Sequence, residues 1–121
     1  MKKITSVILT LSTAAMLSVV GAAAADAATL VTYQSGGHIR TGAQMGPGKT
    51  LYVKDYYVDG YGARAIWYNS AGTSGTKDNN NGGGGDDTVT TIPGSGTVHF
   101  KACIKDGSAT IACSPYEVET Y

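Results

Sequence analysis

The sequence predicts an all-β fold, a small antiparallel β-sandwich closed by one disulfide, with a small β-barrel as the alternative. Three observations carry this expectation. Beyond an N-terminal apolar run, no stretch places apolar residues at helical spacing behind a cap. Short runs of β-branched and aromatic residues recur instead, several with strict alternation. Glycine-rich turns separate them, 17 of the 121 residues being Gly, and short strands between such turns stack into sandwiches or barrels.

Taken in order, Met1-Lys2-Lys3 is a basic lead to a weakly apolar run from Ile4 to Val20. The run ends in small residues at Ala23-Ala24-Ala25 and Ala25-Asp26-Ala27, the pattern of a cleaved export signal. Residues 1–27 are thus expected to be a signal peptide, cut near 25–28, and 28–121 a single secreted, extracellular domain. The run is too rich in Ala, Ser and Thr for a stable span, so no membrane association is expected after cleavage. A domain of this size buries only about two-thirds of its unfolded surface and gains from a covalent staple.

Thr29-Leu30-Val31-Thr32-Tyr33 reads as the first strand, ended by Ser35-Gly36-Gly37. His38 to Lys49, with Gly42, Gly46, Pro47 and Gly48, reads as a surface loop. From Leu51, period two returns: Leu51 and Val53 point one way, and Tyr52, Lys54 and Tyr56 the other. Asp59-Gly60 predicts a hairpin turn into Ala63–Tyr68, whose faces are ambiguous. Asn69 to Asp87 contains six glycines and no large apolar residue after Gly72, which predicts a flexible Gly/Asn-rich loop. Thr88–Ile92 resumes strand character. Pro93-Gly94-Ser95-Gly96 then turns into Thr97–Ile104, with Val98, Phe100, Ala102 and Ile104 toward the core and His99, Lys101 and Cys103 outward. The final strand is expected to run past Pro115 to Glu119.

Export places thiols in an oxidising setting, and only two are present, so Cys103 pairs with Cys113 across a hairpin turning through Asp106-Gly107-Ser108. No C-x-x-C spacing or neighbouring base suggests a redox or nucleophilic role.

The layout resembles that of small secreted β-rich proteins of Gram-positive bacteria, of the actinomycete type. The residues that carry the likeness are Asp55 to Gly60, the glycine-rich middle, and Phe100-x-x-Cys103 followed by Cys113-Ser114. The resemblance implies export, β-structure and the disulfide, and it supplies no activity.

From Asp26 onward seven basic residues face nine acidic ones, a net charge of −2. That balance argues against nucleic acid as a partner. Residues 82–90 can be laid once on the G-G-x-G-x-D-x-U-x repeat of calcium-binding rolls. The stretch from Asp78 resembles the start of an EF-hand loop but has Val89 where a bidentate Glu is required. Asp78, Asp86 and Asp87 are therefore weak calcium candidates, and no other cofactor is suggested. Asp55 and Asp59 are the acids flanked by aromatics, the residue type of an acid–base pair, although one strand-to-turn segment does not establish the separation such chemistry needs. His38 and His99 have no recognisable serine, cysteine or zinc-ligand partner. No catalytic constellation is legible, and the chain is expected not to be an enzyme.

The remaining feature is aromatic. Tyr52, Tyr56, Tyr57, Tyr61, Trp67 and Tyr68 crowd into two strands and their turn, and they predict a contact surface for an extracellular glycan or protein. The competing expectation is that tyrosines simply suit strands and pair across them. The leading functional expectation is non-enzymatic binding. A secreted antagonist, such as a bacteriocin-like toxin or an enzyme inhibitor presenting residues 69–87, is the alternative.

Overall fold

Period-two patterning builds both sheets. The computed structural model describes residues 29–121, so the expected signal peptide lies outside the described residues. Nine strands follow one another: β1 (Thr29–Ser35), β2 (His38–Gly46), β3 (Thr50–Asp55), β4 (Gly62–Asn69), β5 (Ser74–Asn79), β6 (Thr88–Thr91), β7 (Thr97–Asp106), β8 (Ala109–Cys113) and β9 (Glu117–Thr120). A turn of 3-10 helix, Pro47–Lys49, links β2 to β3.

The first sheet has the order β1-β2-β3-β6, and the second has β5-β4-β7 with β8 and β9 both paired to β7. Every pairing is antiparallel. The two sheets pack as a sandwich over Ala43, Met45, Leu51 and Val53 from one side and Ala63, Ala65, Trp67, Val98, Phe100 and Ala102 from the other. Ile92 joins them just past β6. Burying each large side chain contributes about 1.5 to 3 kcal/mol. Tyr121 spans the layers, its hydroxyl donating to the Gly46 carbonyl at 2.7 Å.

The disulfide joins Cys103 to Cys113, which sit directly opposite each other in the β7–β8 register. The core-facing set on β7 is also as expected, Val98, Phe100, Ala102 and Ile104 all being buried. Cys103 and Lys105, of the opposite parity, are buried as well. Arg64 lies across this part of the outer face. Its guanidinium makes two hydrogen bonds to Asp78 on β5, at 2.7 and 3.0 Å, and reaches Ser108 and Thr110 of the β7–β8 hairpin at 3.1 and 2.9 Å.

Four expectations need correction. His38 to Gly46 is a nine-residue strand rather than a loop. The Gly36-Gly37 turn folds it back on β1, and its side-chain-free positions Gly42 and Gly46 sit beneath the rings of Tyr56 and Tyr52. The Asp59-Gly60 turn exists, but it does not make a hairpin. β3 pairs with β2 and β6 and β4 with β5 and β7, so residues 56–61 carry the chain from one sheet to the other.

The expected flexible loop, 69–87, contains β5 and is fastened at both ends by buried asparagines. Asn69 donates to the Pro93 carbonyl and accepts from the N–H groups of Ala71 and Thr73. Asn79 donates to the Val53 and Asp86 carbonyls and accepts from the Asn81 N–H. Lastly, the C-terminal strand is interrupted at 114–116, where Ser114 bonds the Ala102 N–H, and β9 re-forms alongside the first half of β7.

Candidate functional site

The aromatic residues expected to form one surface are distributed over several. Tyr52 and Tyr56 lie together on the outer face of the first sheet, as their parity predicts, with Lys54 5.8 Å from the Tyr52 ring centre. Tyr57 stacks on His38 at 4.3 Å, with Arg40 over its ring at 4.9 Å. Trp67 points between the sheets, 7 % exposed, its indole lying against Gly75. It is a core residue, not a contact residue. Tyr68 is on the outer face of the second sheet, stacked on His99 at 4.5 Å and meeting Tyr116 edge-on at 5.1 Å.

The calcium candidates do not converge. Asp78 is engaged by Arg64, and Asp87 pairs with Lys54 at 2.7 Å. The contribution of Asp86 to the local network is its main-chain carbonyl, held by Asn79 and Asn81. Among the described residues no group of three or more His, Cys, Asp or Glu side chains is placed to hold a metal ion.

Polar groups converge instead at one end of the sandwich, around a cleft of about 380 Å³ lined by Asp55, Asp59, Tyr61, Asn80, Gly83 and Lys105, among others. Asp55 belongs to the inward row Leu51, Val53, Asp55 of β3, so the strand that supplies two core residues carries its third into the mouth of the core. It is 5 % exposed, and its Oδ2 is buried without a hydrogen-bond partner among the described residues. Burial raises its carboxyl above the ordinary value of 3.8, the Tyr57 backbone N–H pulls it back, and the charge of Asp59 raises it further.

The other carboxylate is fully engaged. Asp59 Oδ2 pairs with Arg40 at 2.8 Å, and Oδ1 accepts the Tyr61 N–H at 2.9 Å, closing the crossover turn. Lys105 comes from the end of β7, beside a bulge in the β7–β8 ladder, and is 6 % exposed. Its ammonium donates to Asn80 Oδ1 at 2.6 Å and lies 3.8 Å from Asp78 Oδ2. Arg64 already neutralises Asp78, holding its carboxyl below the ordinary value, chiefly through their hydrogen bonds.

Two glycines make the cleft possible. A Cβ on Gly83 would lie 2.4 Å from the Tyr57 carbonyl carbon, so only glycine lets this loop dock on the crossover, where the Gly84 N–H also bonds the Asp55 carbonyl at 2.8 Å. A Cβ on Gly62, opposite Lys105, would press on Asn80 Oδ1 at 3.0 Å and on the Lys105 stem at 3.2 Å.

Sequence reasoning weighed Asp55 only as half of a carboxylate pair and missed Lys105 and Asn80. The signal for Asp55 was present, since it shares parity with Leu51 and Val53 and an acid in a core-facing row calls for an explanation. No comparable signal marked Lys105, because alternation puts it on the outer face and its cover comes from residues distant in sequence. Comparison with protein-family models, curated proteins and solved structures finds no match to this chain.

Proposed function

We propose that the chain is a non-enzymatic extracellular binding protein that takes a small polar ligand, or the polar end of a larger molecule, in the cleft between Asp55 and Lys105. The observation that carries this reading is the unpartnered Oδ2 of Asp55, buried at the edge of an open cleft. A buried carboxylate oxygen without a donor costs about 1 to 3 kcal/mol or more, and such strained polar groups cluster where a ligand supplies the missing bond. Tyr61, 41 % exposed, adds an aromatic wall.

Binding is favoured over hydrolysis because general acid–base work needs a second available carboxyl, and both oxygens of Asp59 are committed to Arg40 and the Tyr61 N–H. The antagonist alternative, which also rests on export, compactness and the disulfide, is less favoured here because part of its presenting segment, Ser74–Asn79, is a paired strand, with Asn69 and Asn79 tying the segment down.

A thermal-shift screen of sugars, amino acids and short peptides tests the reading. A ligand at 100 times its Kd stabilises the fold by about 2.7 kcal/mol. Shifts abolished by Asp55→Asn and kept by Tyr52→Ala support the cleft. Shifts lost in Tyr52→Ala and kept in Asp55→Asn transfer the site to the outer face of the first sheet and overturn it.

A further inference from the structure

Resting on that reading of the cleft, the geometry points to a small zwitterion of the α-amino-acid type as its ligand, with the ligand's ammonium at Asp55 and its carboxylate at Lys105. Charge pairing around the cleft leads there. Asp59 is cancelled by Arg40, and Asp78 by two hydrogen bonds from Arg64. What remains is one negative charge on Asp55 and one positive charge on Lys105, which among the described residues shares Asp78, at 3.8 Å, with Arg64.

These two residues line the same cleft, yet among the described residues no ion pair joins them and no group donates to Asp55 Oδ2. Lys105 uses one of its three N–H groups in a hydrogen bond, to Asn80. The cleft lining thus carries an acid with an unpartnered, buried oxygen at one residue and an ammonium with N–H groups beyond its bond to Asn80 at another.

Electrostatic complementarity then selects among ligand classes. A neutral sugar would desolvate both charges and return hydrogen bonds without a counter-charge for either. A simple cation leaves Lys105 with only its share of Asp78, and a simple anion is repelled by Asp55. A molecule carrying both charges makes a charge-assisted bond at each end and gives each residue a counter-charge of its own. The volume, about 380 Å³, lies in the range of small-molecule pockets. The exposed Tyr61 ring offers an apolar contact for the ligand's own side chain.

Isothermal titration of the intact protein with L-alanine, L-alaninamide, propionate and glucose at neutral pH tests this. The expected order places L-alanine at least tenfold tighter than L-alaninamide, which lacks the anion, and than propionate, which lacks the cation. Asp55→Asn and Lys105→Met should each weaken L-alanine at least tenfold, while Lys105→Met should not weaken L-alaninamide, which carries no anion for Lys105 to bind. The wild-type series alone decides the matter should either variant misfold. Glucose binding that depends on Asp55 and ignores Lys105→Met would overturn the zwitterion and leave the cleft in place. Binding of any of the four that is indifferent to Asp55→Asn, or none at millimolar concentration alongside a screen without Asp55-dependent hits, would overturn both.

Discussion

Two aspartates shape how this protein responds to pH, and they act in opposite directions. For Asp55, burial raises the folded-state carboxyl above 3.8, so between that value and the raised one the folded chain keeps a proton the unfolded chain has lost. Stability therefore falls as pH rises through this window and stays lower above it. For Asp78 the hydrogen bonds from Arg64 lower the folded value, so its contribution is present above 3.8 and is lost as pH falls below. Asp55→Asn should accordingly raise stability at pH 7 by about 1 kcal/mol, because it removes a desolvated charge, with the gain shrinking toward pH 4. Urea denaturation at the two pH values measures this. A residue that stabilises the fold when lost, and abolishes binding when lost, is held for function rather than for structure. An Asp55→Asn protein less stable than wild type at pH 7 would mean that the bond from the Tyr57 N–H outweighs the cost of burying the charge.

At the scale of elements, the segment 69–87 is where sequence and structure part most sharply. Hydrophobic patterning is blind to it, because its order rests on amides: no large apolar residue follows Gly72, yet Asn79 is completely buried and Asn69 is 5 % exposed. Asn79 does for β5 what an inward leucine does elsewhere, joining the second sheet to the Val53 carbonyl of the first and to the Asp86 carbonyl of the following loop. The strand itself has little β propensity in Ser-Gly-Thr-Lys-Asp-Asn, and it forms because β4 offers an edge across its full length. Asn79→Ala should cost roughly 2 to 4 kcal/mol, since it removes together the bond to the buried Val53 carbonyl, one of the two bonds to the Asp86 carbonyl and the acceptor of the Asn81 N–H. Thr76→Ala, exposed on the same strand, should cost less than about 1 kcal/mol. Equal costs in urea denaturation would refute the bridging role. The β3–β4 connection was misread for a related reason. An Asp-Gly pair specifies a turn, while strand pairing is settled by which faces are apolar, and both β3 and β4 turn theirs toward the same core from opposite layers.

For the molecule as a whole, the all-strand character and the sulfur bridge were legible because they rest on local alternation and on a count of two cysteines. The cleft was not, because Asp55, Asn80 and Lys105 meet only after the crossover and the glycine-rich loop close over one end. How far the whole depends on its bridge can be argued from size. A chain of 93 described residues is stable by roughly 5 to 14 kcal/mol at typical values per residue. A cross-link spanning ten residues contributes roughly 2 to 3 kcal/mol by restricting the unfolded chain. The remainder is positive, and it rests on a core with Phe100, Met45, Leu51, Ile92 and Val53 all fully buried. The paired Cys103→Ser, Cys113→Ser variant should therefore keep its β-sheet circular dichroism at 25 °C while its urea midpoint falls by the equivalent of 2 to 3 kcal/mol. The denaturant slope should rise slightly as the unfolded chain expands. Loss of the β spectrum in that variant would show that the sandwich cannot stand on its core, and that the bridge between β7 and β8 fixes the fold rather than reinforcing it.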